Sequence, residues 1–237
     1  MTGASGKADT EDAIWFPSQN YGPRKSVARP DLIVLHYTAM TTAEGARDWL
    51  CNPEAEVSAH YVLAEDGRLW QLVPEAERAW HAGRGAWGDA TDVNSRSIGI
   101  EIANTGSQPF SAPQMTQLER LLAGMMQRWS IVPERVIGHS DCSPGRKIDP
   151  GRRFDWRRLA LGGLSIWPDA AQTAKPEQFW RDAAKFGYRW DEGNEAAVLD
   201  AFRSRFRPAA QGALSAEDAG MMAALANQWP VLRDALA

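Results

Sequence analysis

Along residues 14–161 the apolar positions fall into short runs of strand length, closed by turn residues and alternating with longer helical stripes. Leu32-Ile-Val-Leu-His36-Tyr-Thr, bounded by Pro30-Asp31, is apolar enough for a strand buried on both faces. In the stretch from Ser58 to Val73, two β-rich runs flank Asp66-Gly67, which predicts a hairpin with a turn of type I′ character. Ser97-Ile-Gly-Ile-Glu101-Ile-Ala-Asn104 reads as a strand whose apolar alternation a carboxylate interrupts, and Arg135-Val-Ile-Gly-His139 as another. Thr42–Cys51 predicts a helix capped by Thr42, with Trp49 and Leu50 inward. Ser111–Trp129 carries Leu118, Leu121, Leu122, Met125 and Trp129 at helical spacing, an amphipathic helix for one face of a sheet, and Phe154–Leu161 a last short helix. Ahead of the first long strand, Ile14–Lys25 reads as an ordered arm. A Gly/Asp/Asn-rich loop follows Ala79-Trp80-His81-Ala-Gly83 as far as Ser97, and loops of that length in compact domains are often functional.

Strands and helices alternate with one hairpin, so the expected class is α/β: a mixed central β-sheet flanked by helices on both faces. Beyond a linker over Leu164–Lys175 the pattern is purely helical. Pro176–Phe186 stops at Gly187. Asn194 is placed to cap a helix bearing Val198, Leu199, Phe202 and Phe206, and Ser215-Ala-Glu-Asp218 is a capping-box sequence opening a third helix with Met222, Leu225 and Trp229 inward. The organisation expected is a main domain over 14–163 and a small three-helix domain over 174–237. The second is near the lower size limit for independent folding and can lean on the first.

Composition narrows the function classes. Among 237 residues, 44% are apolar and 24% charged, and the net charge of -4 gives no reason to expect nucleic acid. Arg146, Arg152, Arg153, Arg157 and Arg158 do cluster, as a basic rim or as a solvated basic face. The two cysteines, Cys51 and Cys142, form no CxxC pair, and a reduced compartment is the simpler reading. Met1–Asp12 lacks the basic start and apolar run of a secretory signal, and nothing elsewhere is long enough to span a membrane. A cytoplasmic protein is expected, or a periplasmic one if a leader precedes this sequence. Nothing in the pattern sets the oligomeric state. Most of the eleven tryptophans are expected in the core, although flat aromatics also line saccharide clefts.

The candidate chemistry centres on Val136-Ile-Gly-His139-Ser-Asp-Cys-Ser-Pro-Gly-Arg-Lys147-Ile-Asp149-Pro-Gly. His139 and Asp149 are two possible ligands for a divalent metal, and a catalytic zinc usually takes three plus a water. His36, at the C-terminal end of a predicted central strand, lies where open α/β sheets bind ligands and is the candidate third. Taken singly, each of the three also has a structural explanation. Glu101 is either a proton carrier or one half of a structural ion pair, since an unpartnered carboxylate is costly to bury. Lys147 is either an oxyanion partner or an exposed loop lysine. His60 and His81 are equally open.

In order along the chain, Ile-Val-Leu-His36-Tyr-Thr, Ser58-Ala-His-Tyr, Ala79-Trp-His-Ala-Gly, Ser97-Ile-Gly-Ile-Glu-Ile and Gly138-His-Ser-Asp-Cys-Ser-Pro-Gly-Arg-Lys-Ile-Asp-Pro-Gly resemble the type-2 N-acetylmuramoyl-L-alanine amidases. This is a zinc family that also has relatives among peptidoglycan recognition proteins, and the similarity covers roughly residues 14–161. The resemblance implies a Zn2+ cofactor on His36, His139 and Asp149, with Glu101 and Lys147 catalytic and His81, Tyr37 and Asn104 near the substrate. It implies hydrolysis of the bond between N-acetylmuramic acid, or its 1,6-anhydro form, and L-alanine in peptidoglycan or muropeptides. The helical tail is similar to the small peptidoglycan-binding domains of some members, but short. The alternative is a non-catalytic module that senses peptidoglycan fragments in the same cleft, and a zinc peptidase lacks its His-Glu-x-x-His helix here.

Overall fold

A computed structural model describes residues 6–168 and 174–231. The strands are β1 (Ala13–Trp15), β2 (Tyr21–Gly22), β3 (Leu32–Tyr37), β4 (Tyr61–Leu63), β5 (Leu69–Gln71), β6 (Arg78–Ala79), β7 (Ser97–Ile102) and β8 (Val136–Gly138). Interleaved and following are the helices α1 (Ala43–Cys51), α2 (Val93–Arg96), α3 (Ala112–Trp129), α4 (His139–Cys142), α5 (Trp156–Leu161), α6 (Phe179–Phe186), α7 (Glu195–Phe206) and α8 (Ala216–Gln228). Six strands form one sheet in the order β1-β5-β4-β7-β3-β8, and β2 pairs with β6 separately. Only β4–β5 is antiparallel within the large sheet, so the expected mixed sheet with helices on both faces is what forms.

Alternation along β3 and β7 decides what lies on each face. Ile33 and Leu35 with Ile98, Ile100 and Ile102 point to α3, meeting Leu118, Leu121, Leu122 and Met125 in one buried cluster. Each such fully buried side chain contributes about 1.5–3 kcal/mol. Leu32 and Val34 point the other way, into a cluster with Trp87, Phe179, Phe186, Tyr188, Phe202 and Phe206. The C-terminal helices therefore complete the second face of the sheet through a continuous apolar core. A polar lock sits within it: the buried Asp141 accepts from Arg205 Nη1 at 2.8 Å, Tyr188 Oη at 2.7 Å and Gly138 N at 2.8 Å. Arg205 Nη2 also donates to the Val136 carbonyl at 2.9 Å.

Several local expectations need correction. Trp49 is 52% exposed, because Ala43, Ala46 and Leu50 form the inward stripe of α1 and at about 100° per residue Trp49 falls a quarter-turn away. The Asp66-Gly67 turn is not type I′, which needs positive φ at both central residues. Only Gly67 has it (φ +91), and Gly67 N donates to the Ala64 carbonyl at 3.0 Å. That is the three-residue hairpin loop with a glycine bulge. Asn194 stands at the N-cap of α7 but its side chain makes no capping bond, whereas Ser215 and Asp218 form the expected box on α8. The last short helix begins at Trp156, two residues later than expected, with Asp155 accepting from Arg158 N. Trp70, Trp87 and Trp156 are core residues, and Cys51 and Cys142 are free thiols. Residues 169–173 of the expected linker, and 232–237 at the end of the expected small domain, lie outside the described residues.

Candidate active site

Three adjacent parallel strands end at one place. His36 of β3 pairs in register with Glu101 of β7, and on its other side Leu35 pairs with Gly138, the last residue of β8. His139 follows at once, and Ser140 N donates to the Asp149 carbonyl at 2.9 Å, folding the loop back so that Asp149 faces both histidines. Nδ1 of His36, Nδ1 of His139 and Oδ2 of Asp149 form a triangle with edges of 2.9, 2.9 and 3.0 Å, and all three residues are buried. Tetrahedral bonds of 2.0–2.1 Å would give edges of roughly 3.3 Å, so the triangle is slightly tighter than a zinc ligand set.

The surrounding hydrogen bonds determine which atoms carry protons. His139 Nε2 lies 2.9 Å from the Ala82 carbonyl, to which only an N–H can donate, so its Nδ1 offers a lone pair. The Ser97 hydroxyl donates to the Val93 carbonyl at 2.6 Å and thus accepts from His81 Nε2 at 3.0 Å. His81 Nδ1 then accepts from His36 Nε2 at 3.0 Å, which leaves a lone pair on His36 Nδ1 as well. Burial, and secondarily the neighbouring His139, lower the His36 pKa to about 4, so the ring is neutral near pH 7. Two lone pairs and a carboxylate thus converge with no proton assigned between them. A divalent cation fits that donor set, and His36, His139 and Asp149 are the group of described residues able to hold one.

Glu101 is half-buried beside the triangle, and its Oε2 is buried without a hydrogen-bond partner. Burial, and next the Asp149 charge, raise its pKa well above the ordinary range, with Lys147 opposing. Lys147 is exposed and makes no ion pair among the described residues. Both residues border a cleft of about 410 Å³ that also contains His36, Tyr37, His139 and Asp149. They share a second hollow of about 200 Å³ with Met40, Trp49 and Trp80. Asn104 is buried, with its Oδ1 accepting from Gly106 N at 2.7 Å and its Nδ2 donating to the Gln108 carbonyl at 3.2 Å. His60 is buried between Gly99 N and the Glu77 carbonyl. The arginine cluster is largely partnered: Arg146 turns in to the Ala82 and Arg84 carbonyls, Arg152 meets Asp200 and Arg158 meets Glu119.

The family profile described as N-acetylmuramoyl-L-alanine amidase matches residues 26–152. The chain belongs to that family. The amidase AmiD of Escherichia coli K12 is 39% identical over 161 residues, a match spanning 61% of this chain and 57% of AmiD. The 1,6-anhydro-N-acetylmuramyl-L-alanine amidase AmpD of Haemophilus influenzae is 33% identical over 165 residues, covering 62% of this chain and 90% of AmpD. Among solved structures, E. coli AmiD in complex with anhydro-N-acetylmuramic acid-L-Ala-D-γ-Glu-L-Lys superposes with a TM-score of 0.78 at 33% identity, covering 90% of this chain and 93% of AmiD. AmpDh3 of Pseudomonas aeruginosa gives a TM-score of 0.77 at 29% identity, covering 90% of this chain and 96% of AmpDh3. Those two matches extend through most of the C-terminal helices of this amidase-family chain.

Sequence reasoning singled out every side chain of the triangle and both polar neighbours. It missed Asn94, whose Oδ1 accepts from His81 N at 3.1 Å and Ala82 N at 2.8 Å and so fixes the backbone that holds His139. It also passed over Ser97, although serine, glycine and glutamate at alternate positions of one strand must share a face.

Proposed function

We propose that the protein is a zinc-dependent N-acetylmuramoyl-L-alanine amidase. It hydrolyses the amide between the lactyl group of N-acetylmuramic acid, or its 1,6-anhydro form, and L-alanine in muropeptides. The observation that carries this reading is the convergence of the His36, His139 and Asp149 ligand atoms beside Glu101, whose Oε2 is buried without a partner. Zinc held by those three residues would supply a Lewis acid and a lowered water pKa. Glu101 takes a proton as water oxygen bonds to the carbonyl carbon, then delivers it to the nitrogen as the C–N bond breaks, leaving a carboxylate and the free amine of L-alanine. The Lys147 ammonium, at the same cleft, stabilises negative charge developing on the carbonyl oxygen. Tyr37 lines the cleft and orients substrate, while Asn104 shapes the loop behind it. The anhydro-muropeptides named with AmiD and AmpDh3 support the choice of substrate. Residues 14–163 carry this chemistry, and the helices from 174 onward support it from behind.

A fragment-sensing module would use the same cleft but has no use for a sheltered carboxylate in its wall. Mass spectrometry of a muropeptide digest decides between them: the amidase releases peptide beginning at L-alanine, the sensor releases nothing, and a peptidase cuts within the stem.

A further inference from the structure

His81 lines the cleft, yet neither ring nitrogen is free for a substrate. Its Nδ1 is 3.0 Å from His36 Nε2 and its Nε2 is 3.0 Å from Ser97 Oγ. The His36 and His81 rings meet edge to face, at 5.1 Å and 82°. The chain of donors ends at the Val93 carbonyl, which accepts the hydrogen bond from the Ser97 hydroxyl and leaves Ser97 Oγ able only to accept from His81. Direction therefore propagates inward from a backbone atom, through Ser97 and His81, to the nitrogen of His36 that faces the triangle.

The packing around this chain is specific to it. A Cβ on Gly99 would lie 2.4 Å from Cγ of His81, so the glycine is the floor on which that ring sits. Ser97, Gly99 and Glu101 share one face of β7, so a single strand supplies the relay's terminus, the seat of its ring and the proton carrier. The ring's own backbone is held by Asn94 Oδ1.

We infer that Ser97 and His81 form a positioning relay, seated on Gly99, which holds His36 in the tautomer and orientation that present Nδ1 to the metal. The relay makes His81 a residue acting through His36 rather than on the substrate. It rests on the reading of His36 as a metal ligand. Outer partners of ligating histidines typically govern metal affinity by 10–100-fold.

The test is zinc affinity of the full-length protein, measured by competition with a chromophoric chelator, with thermal unfolding of the metal-free forms as the control for folding. His81→Ala should bind zinc about 10–100-fold more weakly. Ser97→Ala should move in the same direction by less, and His81→Gln, which can still accept from one side and donate to the other, should recover most of the loss. Two-bond proton–nitrogen spectra should place the His36 proton on Nε2 in the wild type. Wild-type zinc affinity in a folded His81→Ala protein, or a His36 proton on Nδ1 in the metal-free wild type, overturns the relay while leaving the metal site standing. Wild-type protein that takes up no zinc overturns the metal reading, and the relay with it.

Discussion

Replacing Glu101 by glutamine should separate two quantities that usually fall together. Glu101 Oε2 is buried without a partner, and an unsatisfied buried polar atom costs about 1–3 kcal/mol. Burial and the adjacent Asp149 both disfavour its charged form. An amide of the same shape removes the charge but leaves a neutral polar atom without a partner, and a charged orphan costs more than a neutral one, so stability should hold or rise by up to about 1 kcal/mol. For a chain of this size that is an upward Tm shift of up to roughly 2–4 °C. Activity should move the opposite way. A positioned acid–base group contributes about 10²–10⁴-fold, or about 3–5 kcal/mol of barrier, and glutamine can neither accept nor return the proton. The assay is peptide release from an anhydro-muropeptide, followed by mass spectrometry beside elemental analysis and a melting curve. Turnover within threefold of the wild type at unchanged zinc content would refute the role given to Glu101. A Tm several degrees lower would refute the claim that its carboxylate is held at a cost to the fold.

Three further outcomes follow from particular contacts. His139→Ala opens the triangle, and elemental analysis should find the bound zinc lost; unchanged metal would remove His139 from the ligand set. Arg205→Met leaves Asp141 buried without its cation, which should cost about 3–5 kcal/mol and lower Tm by roughly 10 °C; a shift under 2 °C in thermal unfolding would contradict the lock. For Asp218, burial acts to raise the pKa, but bonds from Arg203, Ser215 and Arg207 outweigh it and hold the pKa at about 2. A carboxylate depressed in the folded state contributes stability that is present above its unfolded value of 3.8 and lost as pH falls towards about 2. The stability difference between wild type and Asp218→Asn in acid melts should therefore shrink across that window, and a difference constant from pH 6 to pH 2 would refute the linkage.

The strands were legible because their apolar runs are short and punctuated, and the ends of β3, β7 and β8 carry the residues whose chemistry stood out. Parallel pairing of those three strands turns separate histidines and a glutamate into neighbours, so His36 and Glu101, 65 positions apart, sit in register. Trp49 was misplaced because a narrow stripe of small residues, Ala43 and Ala46, outcompetes a large aromatic for the inward face when the sheet lies close. The hairpin type was misread because Asp-Gly fits both a two-residue loop and a three-residue loop with a bulge, and only the register of β4 on β5 decides. Asn94 escaped notice for a different reason. Its partners are backbone N–H groups, and no pattern of side chains announces a residue whose task is to hold main chain.

The lock between Asp141 and Arg205 has a consequence in time as well as space. Asp141 lies two residues past His139, and its partners Tyr188 and Arg205 are made some 47 and 64 residues later. A ribosome that has delivered His36, Glu101, His139 and Asp149 has made every group of the metal triangle and its proton carrier. At that moment the loop bearing His139 still lacks its cation, and the face around Val34 and Trp87 still lacks its cover. If the triangle holds zinc as proposed, firm uptake is expected only once synthesis has run through α7. Stalled nascent chains ending before residue 188 should release zinc to a chelator far more readily than chains extended past residue 231.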